Sequence, residues 1–237
     1  MPNIEAAHPF RSGLRSSLPI AIGYIPVAIT FGILGKTGGL SLAPVLAMSL
    51  AVFAGAAQFM ALSLLIGGAA GGQIVVAVFL LNLRHLLFSA NLSRKLPKLS
   101  AALSAGLAFG VTDEVFSVAS KEQTVSPRYL FGLELGAWSA WSGGTAVGFL
   151  AGNLLPSELA AAFGTGLYAL FASLSVWQAK DGGGKILIVF ITAAVLNTAF
   201  RLVLEMNTGW AFVLAMGAAA LIGLLLESWG NHGYRHE

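Results

Sequence analysis

The chain has 237 residues, of which 57% are hydrophobic and 10% charged, with a formal net charge of +3. Soluble domains carry about 25% charged residues. Too few ionic side chains remain to coat a globule in water, so a soluble enzyme and a disordered chain are both excluded. A lipid-exposed polytopic membrane protein fits. The absence of cysteine rules out a disulfide framework, a thiolate metal site, an iron–sulfur cluster and a cysteine nucleophile. Nothing in the pattern calls for a metal or any other cofactor. The basic residues sit at the ends of apolar segments, which suits positive-inside topology and not a nucleic-acid partner.

In chain order, residues 1–16 form a polar stretch with Arg11 and Arg15, expected as a cytoplasmic tail. The first apolar segment, 17–35, carries Pro19, Gly23 and Pro26; with no convincing cleavage site it is read as a retained helix and not a signal peptide. Further apolar segments follow at 42–67, 73–93, 99–119, 129–151, 157–178, 185–204 and 208–227, and 228–237 is a polar C-terminal tail. Each run is continuously apolar and near the roughly 20 residues that a helical crossing needs, so helices are predicted and not a barrel. The expected fold is all-α: a multi-pass helical membrane protein with about seven to eight hydrophobic segments in one domain, 17–227.

Internal similarity is weak but ordered. A shift of 115 residues places Leu81-Asn82 on Leu196-Asn197 and Gly55–Leu65 on Leu170–Lys180, giving candidate repeats 17–120 and 129–227. If every segment crosses, Arg94, Lys95 and Lys98 face outward, against the positive-inside tendency. Breaks in 42–67 at Gly55–Gln58 and in 157–178 at Gly164–Gly166 would make both re-entrant. They would also bring Arg94, Lys95, Lys98, Lys180 and Lys185 to the cytoplasmic face and make the halves inverted repeats.

The third segment carries the chemistry. Its midpoint is near Leu83, so Asn82, Arg84 and His85 sit at the bilayer centre, where an arginine costs about 2.5–3.5 kcal/mol. Asn82, His85 and Ser89 share one helix face, and Arg84 and Asn91 form a second polar stripe. Such a group either lines a watery path or locks helices together, with hydrogen bonds averaging about 0.6 kcal/mol. Thr112-Asp113-Glu114 ends the fourth segment, with the two acids expected roughly 6–8 Å from the midplane of a straight helix. Adjacent helical residues diverge by about 100°, so the acids should take different partners: either one neutralises Arg84 and the other carries a coupling proton, or the pair is an acidic helix end tilted into the headgroups. Gln58, near mid-membrane, offers donors and an acceptor to a zwitterion or to a neighbouring helix. Asn197, Arg201 and Glu205 share a face and read as structural. Gly132, Gly136, Ala140, Gly144, Gly148 and Gly152 recur every four residues, the mark of a close helix crossing. An intramembrane enzyme is disfavoured: Ala140-Trp141-Ser142-Gly143 lacks the first glycine of a rhomboid motif, and no HExxH run occurs. A passive channel remains the other alternative.

Phe53-Ala54-Gly55-Ala56-Ala57-Gln58-Phe59, then Asn82-Leu83-Arg84-His85, then Thr112-Asp113-Glu114 together resemble the AzlC family, large subunits of bacterial branched-chain amino acid exporters. Gly-Tyr-Ile-Pro at 23–26 and Phe31-Gly32 fit the same family, and the similarity runs over about residues 13–227. The resemblance implies export of leucine, isoleucine and valine, with methionine a further candidate, driven by the proton-motive force. It also implies a separate small AzlD-type membrane subunit. The motif positions fall on Gln58, Asn82, Arg84, His85, Asp113 and Glu114. A substrate carboxylate would need Arg84 or the N-terminus of a broken helix. Its ammonium would need Asp113, Glu114 or Gln58, and its side chain an apolar pocket drawn from Phe53, Phe59, Leu86 and Phe88. His85 or an acid would exchange a proton as access alternates.

Overall fold

The computed structural model describes residues 10–152, 154 and 184–232. The helices among them are α1 Phe10–Ser16, α2 Leu18–Thr37, α3 Leu42–Ala51, α4 Gly55–Ile66 and α5 Gly71–Ser93. They continue with α6 Ala101–Phe109, α7 Asp113–Ala119, α8 Pro127–Ala151, α9 Gly184–Leu202 and α10 Thr208–His232. No strand occurs among the described residues, in keeping with an all-α fold. The expected segment 157–178, with its break at Gly164–Gly166, lies outside them. The chain divides into two compact units, Met1–Phe59 with Leu81–Gly164 and Met60–Leu80 with Thr165–Glu237.

Among the described residues two helices, α2 and α5, are long and apolar enough to cross a membrane. Pro19 opens α2, where a missing N–H leaves no bond unmade, and Thr30 Oγ1 donates to the carbonyl of Pro26 inside it at 3.0 Å. α2 stops at Gly38 and Gly39, the latter at φ 84°, a conformation that suits glycine. α5 turns Val75, Phe79, Leu86 and Leu87 outward, a lipid-facing side.

α8 is the axis of the first unit. Its 25 residues give about 37 Å of helix, and it packs against α1, α2, α3, α6 and α7. It is less apolar than α2 or α5 because Glu134, Ser142 and Thr145 are turned inward and buried. The four-residue glycine spacing works as packing. A Cβ on Gly144 would lie 2.8 Å from that of Ala28, and one on Gly148 would strike the carbonyl oxygen of Ile29. Gly132 abuts Phe10 and Leu14, and Gly152 abuts Lys36. The pair α1–α2 therefore runs parallel to α8 from its first turns to its last. Residues 10–16, expected within a polar tail, are drawn into a helix by this seam: a Cβ on Gly13 would strike Tyr129.

The fourth apolar segment departs from expectation. In place of one straight span it is the pair α6–α7, bent by 114°. Gly110 closes α6, and Thr112, in extended conformation, caps α7 by accepting from Val115 N at 3.3 Å. The ends of the pair lie together. Lys95 Nζ, just before α6, donates to the carbonyls of Ser120 at 2.6 Å and Glu122 at 2.9 Å, just after α7. Val125 N donates back to Lys95 O at 3.0 Å. A span would hold these residues roughly 30 Å apart. The pair is re-entrant: it dips in and returns to the same side.

In the second unit, α9 and α10 pack as a helical hairpin. α9 ends at Leu202, and Glu205 follows in a turn at φ 49°, so the helical spacing expected to join Arg201 and Glu205 stops short. Leu64, Ala77 and Val213 form this unit's core, flanked by Met60, Ile74, Leu80 and Phe212.

Candidate functional site: two helix breaks beside a central helix

The second apolar segment breaks, as expected, but one turn earlier than Gly55–Gln58. α3 ends at Ala51 and α4 begins at Gly55, with Phe53 between them at φ 44°. A bulky residue in that region costs of order 1–3 kcal/mol, and a polar network holds it there. Gln58 is 1% exposed; its Oε1 accepts from Ala54 N at 3.2 Å and its Nε2 donates to Ser49 Oγ at 3.0 Å. Ser49 then gives its proton to Thr145 Oγ1 at 2.8 Å, and Thr145 donates to the carbonyl of Trp141 at 2.9 Å. The two hydroxyl protons of that chain each have one destination. Trp138 Nε1 adds a bond at 3.1 Å to Leu50 O, a carbonyl left over by the end of α3.

The second break presents Thr112-Asp113-Glu114 to two different partners. Asp113 Oδ2 lies 2.7 Å from Arg84 Nη2. Glu114 Oε2 lies 2.5 Å and Thr112 Oγ1 2.8 Å from the hydroxyl of Tyr24. With a single proton to give, Tyr24 donates to the carboxyl and accepts from Thr112. The depths agree. Arg84 is about 14 Å along α5 from Ser93, and α6 runs about 13 Å inward before its break, each near half of the hydrocarbon layer.

The two breaks close on one aromatic group. The Tyr24 ring centroid is 5.2 Å from that of Trp141 and 6.3 Å from that of Phe53, while Phe59 lies 5.3 Å from Phe31 and 6.4 Å from Trp141. Phe53 and Phe109, one from each break, are 6.4 Å apart. A Cβ on Gly55 would sit 2.9 Å from the Trp141 ring, so only glycine lets α4 start beneath it.

The structure sorts the expected site residues. Arg84 and Asp113 pair, with side chains 37% and 41% exposed, and Glu114 stands one residue on, held by Tyr24. Asn82 and His85 are half-buried on α5; Asn82 Oδ1 and Arg84 Nε are enclosed without a hydrogen-bond partner. Gln58 is committed at both ends to the first break. Of the four apolar residues, Phe53 and Phe59 join the aromatic group. Phe88 instead stacks on Phe116 at 4.5 Å, and Leu86 faces outward at 66% exposure, so the four do not share one set of walls. Tyr24 and Glu134 are additions. Glu134 had a signal, an acid inside the apolar run 129–151. Tyr24 had none beyond its place in the Gly-Tyr-Ile-Pro stretch.

Spans long and apolar enough for lipid, with broken helices meeting beside a central one, define a multi-pass membrane protein of the broken-helix kind. The chain belongs to the AzlC family, whose model, described as AzlC protein, matches residues 19–155, a range that holds all three motifs and Glu134. It is 39% identical over 231 residues to an uncharacterized membrane protein of Archaeoglobus fulgidus, covering 97% of this chain and 99% of that one. It is 35% identical over 199 residues to the inner membrane protein YgaZ of Escherichia coli, covering 79% of each. To the branched-chain amino acid transport protein AzlC of Bacillus subtilis it is 28% identical over 148 residues, covering 61% of this chain and 58% of that one. No solved structure matches the chain.

Proposed function

We propose that this protein is the large subunit of a secondary transporter that exports branched-chain amino acids across the cytoplasmic membrane. Leucine, isoleucine and valine are its substrates, with methionine a further candidate, and the proton-motive force drives it together with a small AzlD-type subunit. Family membership and the name of the Bacillus subtilis relative support the substrate class. The observation that carries the transport reading is the Arg84–Asp113 pair. It lies at mid-membrane depth with both side chains more than a third open. Ions facing hydrocarbon there would cost several kcal/mol each, so the open flank belongs to a watery path.

Arg84 and the first-turn N–H groups of α4, which lack acceptors within their own helix, suit the substrate carboxylate. Asp113 and Glu114 suit its ammonium, Asn82 and His85 line the approach, and Phe53 and Phe59 offer the apolar wall. Gln58 serves by holding the first break open to substrate. In this reading substrate and Asp113 compete for Arg84, so the pair opens on binding.

The test is counterflow of labelled leucine in vesicles holding this chain and the small subunit. A carrier shows saturable exchange, and Arg84→Gln abolishes it while membrane insertion persists. Leucine flux without exchange would mean a channel, and full exchange by Arg84→Gln would remove the site.

A further inference from the structure

Glu134 has no role in the site above, yet its setting is unusual. Among the described residues it is the only carboxyl that is buried, at 4% exposure, and its Oε1 is enclosed with no hydrogen-bond partner. It lies over the second break. A methyl on Gly110 would come within 2.5–2.7 Å of Glu134 Cβ, Cγ and Cδ, so the glycine is what lets the carboxyl seat there. The ionisable groups on the elements around α8 supply no countercharge. On α1, Arg11 and Arg15 are exposed; on α2, the Tyr24 hydroxyl is held by Thr112 and Glu114, and Lys36 lies over Phe149 at the far end. α3 and α6 carry none, and on α7 Asp113 pairs with Arg84 while Glu114 meets Tyr24. On α8 itself, Arg128 is exposed and Tyr129 lies more than a turn away. An unpaired buried carboxylate gives up its hydration with no countercharge to replace it, whereas the neutral acid forgoes only about one hydrogen bond. The packed break accepts the acid and not its anion.

We propose that Glu134 is the proton-carrying residue of the transport cycle. It keeps its proton while the α6–α7 break is packed on α8 and gives it up when the break moves away. In the release step the carboxyl O–H bond breaks, the proton passes to a water molecule, and water solvates the carboxylate. Repacking requires the reverse. The coupling role rests on the carrier reading, but the proton-linked movement is measurable without any substrate.

The chain has no cysteine, so Val111→Cys places a unique thiol in the break, where Val111 is buried. Maleimide labelling is followed in phosphatidylethanolamine–phosphatidylglycerol vesicles for this variant and for V111C/E134Q. Dividing the two rates cancels the titration of the thiol itself. The ratio should rise with pH, by up to about tenfold per unit above its transition, because the neutral glutamine keeps the break packed. A ratio flat from about pH 5 to about pH 9 overturns the proposal. If the glutamine variant fails to fold, V111C/E134D replaces it: a displaced midpoint supports the proposal and an unchanged one overturns it. Leucine counterflow in the same vesicles separates the two readings. Counterflow with a flat ratio sinks Glu134 alone, and a rising ratio without counterflow sinks the carrier reading alone.

Discussion

Replacing Gln58 by leucine keeps the volume of the side chain and removes both of its hydrogen bonds. Ala54 N–H loses its acceptor and Ser49 Oγ its donor, both in a buried setting that water does not reach. A membrane-embedded side-chain bond averages about 0.6 kcal/mol. An orphaned buried group costs about 1–3 kcal/mol. The second figure governs here, because the break itself leaves Ala54 N–H with no helical acceptor. The sum is about 2–4 kcal/mol, which in a chain of this size lowers Tm by roughly 4–16 °C. The assay is thermal unfolding of purified Q58L in detergent, with leucine exchange measured on the fraction that remains folded. Lost stability with a nearly unchanged KM is the expected result. An unchanged Tm with a strongly raised KM would refute the reasoning, since it would mean that the amide faces substrate and not the break.

The glycine seam predicts opposite outcomes for neighbouring residues. Gly148→Val should collapse the folded yield because its side chain meets the Ile29 backbone, whereas Gly143→Ala, with nothing within 4 Å, should gain up to about 1 kcal/mol of helix propensity; equal yields would discount the seam. The re-entrant pair predicts that single cysteines at Lys98 and Gln123 react with an impermeant maleimide from the same side of a sealed vesicle. Labelling from opposite sides would restore α6–α7 as a crossing.

What could be read in advance followed from how unfavourable each residue is in lipid. Arg84 and Asp113 stand out in apolar runs because neither is tolerated there alone, and the divergence of adjacent residues already separated Asp113 from Glu114. The recurrence of glycine on α8 needed only a helical period to become a seam. The α6–α7 bend was hidden because Gly110-Val111-Thr112 is short and weakly polar, and periodicity does not distinguish two short helices from one long one. Gln58 was visible as a polar residue, but its neighbours Ser49 and Thr145, which decide where its amide points, are distant in sequence. Leu86 adjoins the Asn82–His85 motif, yet one helical step turns it to the outer face. Glu134 was overlooked because a glycine-rich, tryptophan-bearing segment reads as packing.

The hairpin turned back by Lys95 settles which charges share a face. Arg94, Lys95, Lys98, Lys121 and Arg128 cluster where α5 ends and α8 begins, and Arg11 and Arg15 join them, since α1 lies on the first turns of α8. By the positive-inside tendency so basic a margin is expected at the cytoplasmic face. The two helix breaks meet at Phe53 and Phe109, whose ring centroids are 6.4 Å apart. On the carrier reading proposed above, a charge passing between these two residues would do its electrical work, up to about 2.3 kcal/mol per 100 mV of membrane voltage, within a few ångströms, and the two rings would decide what passes.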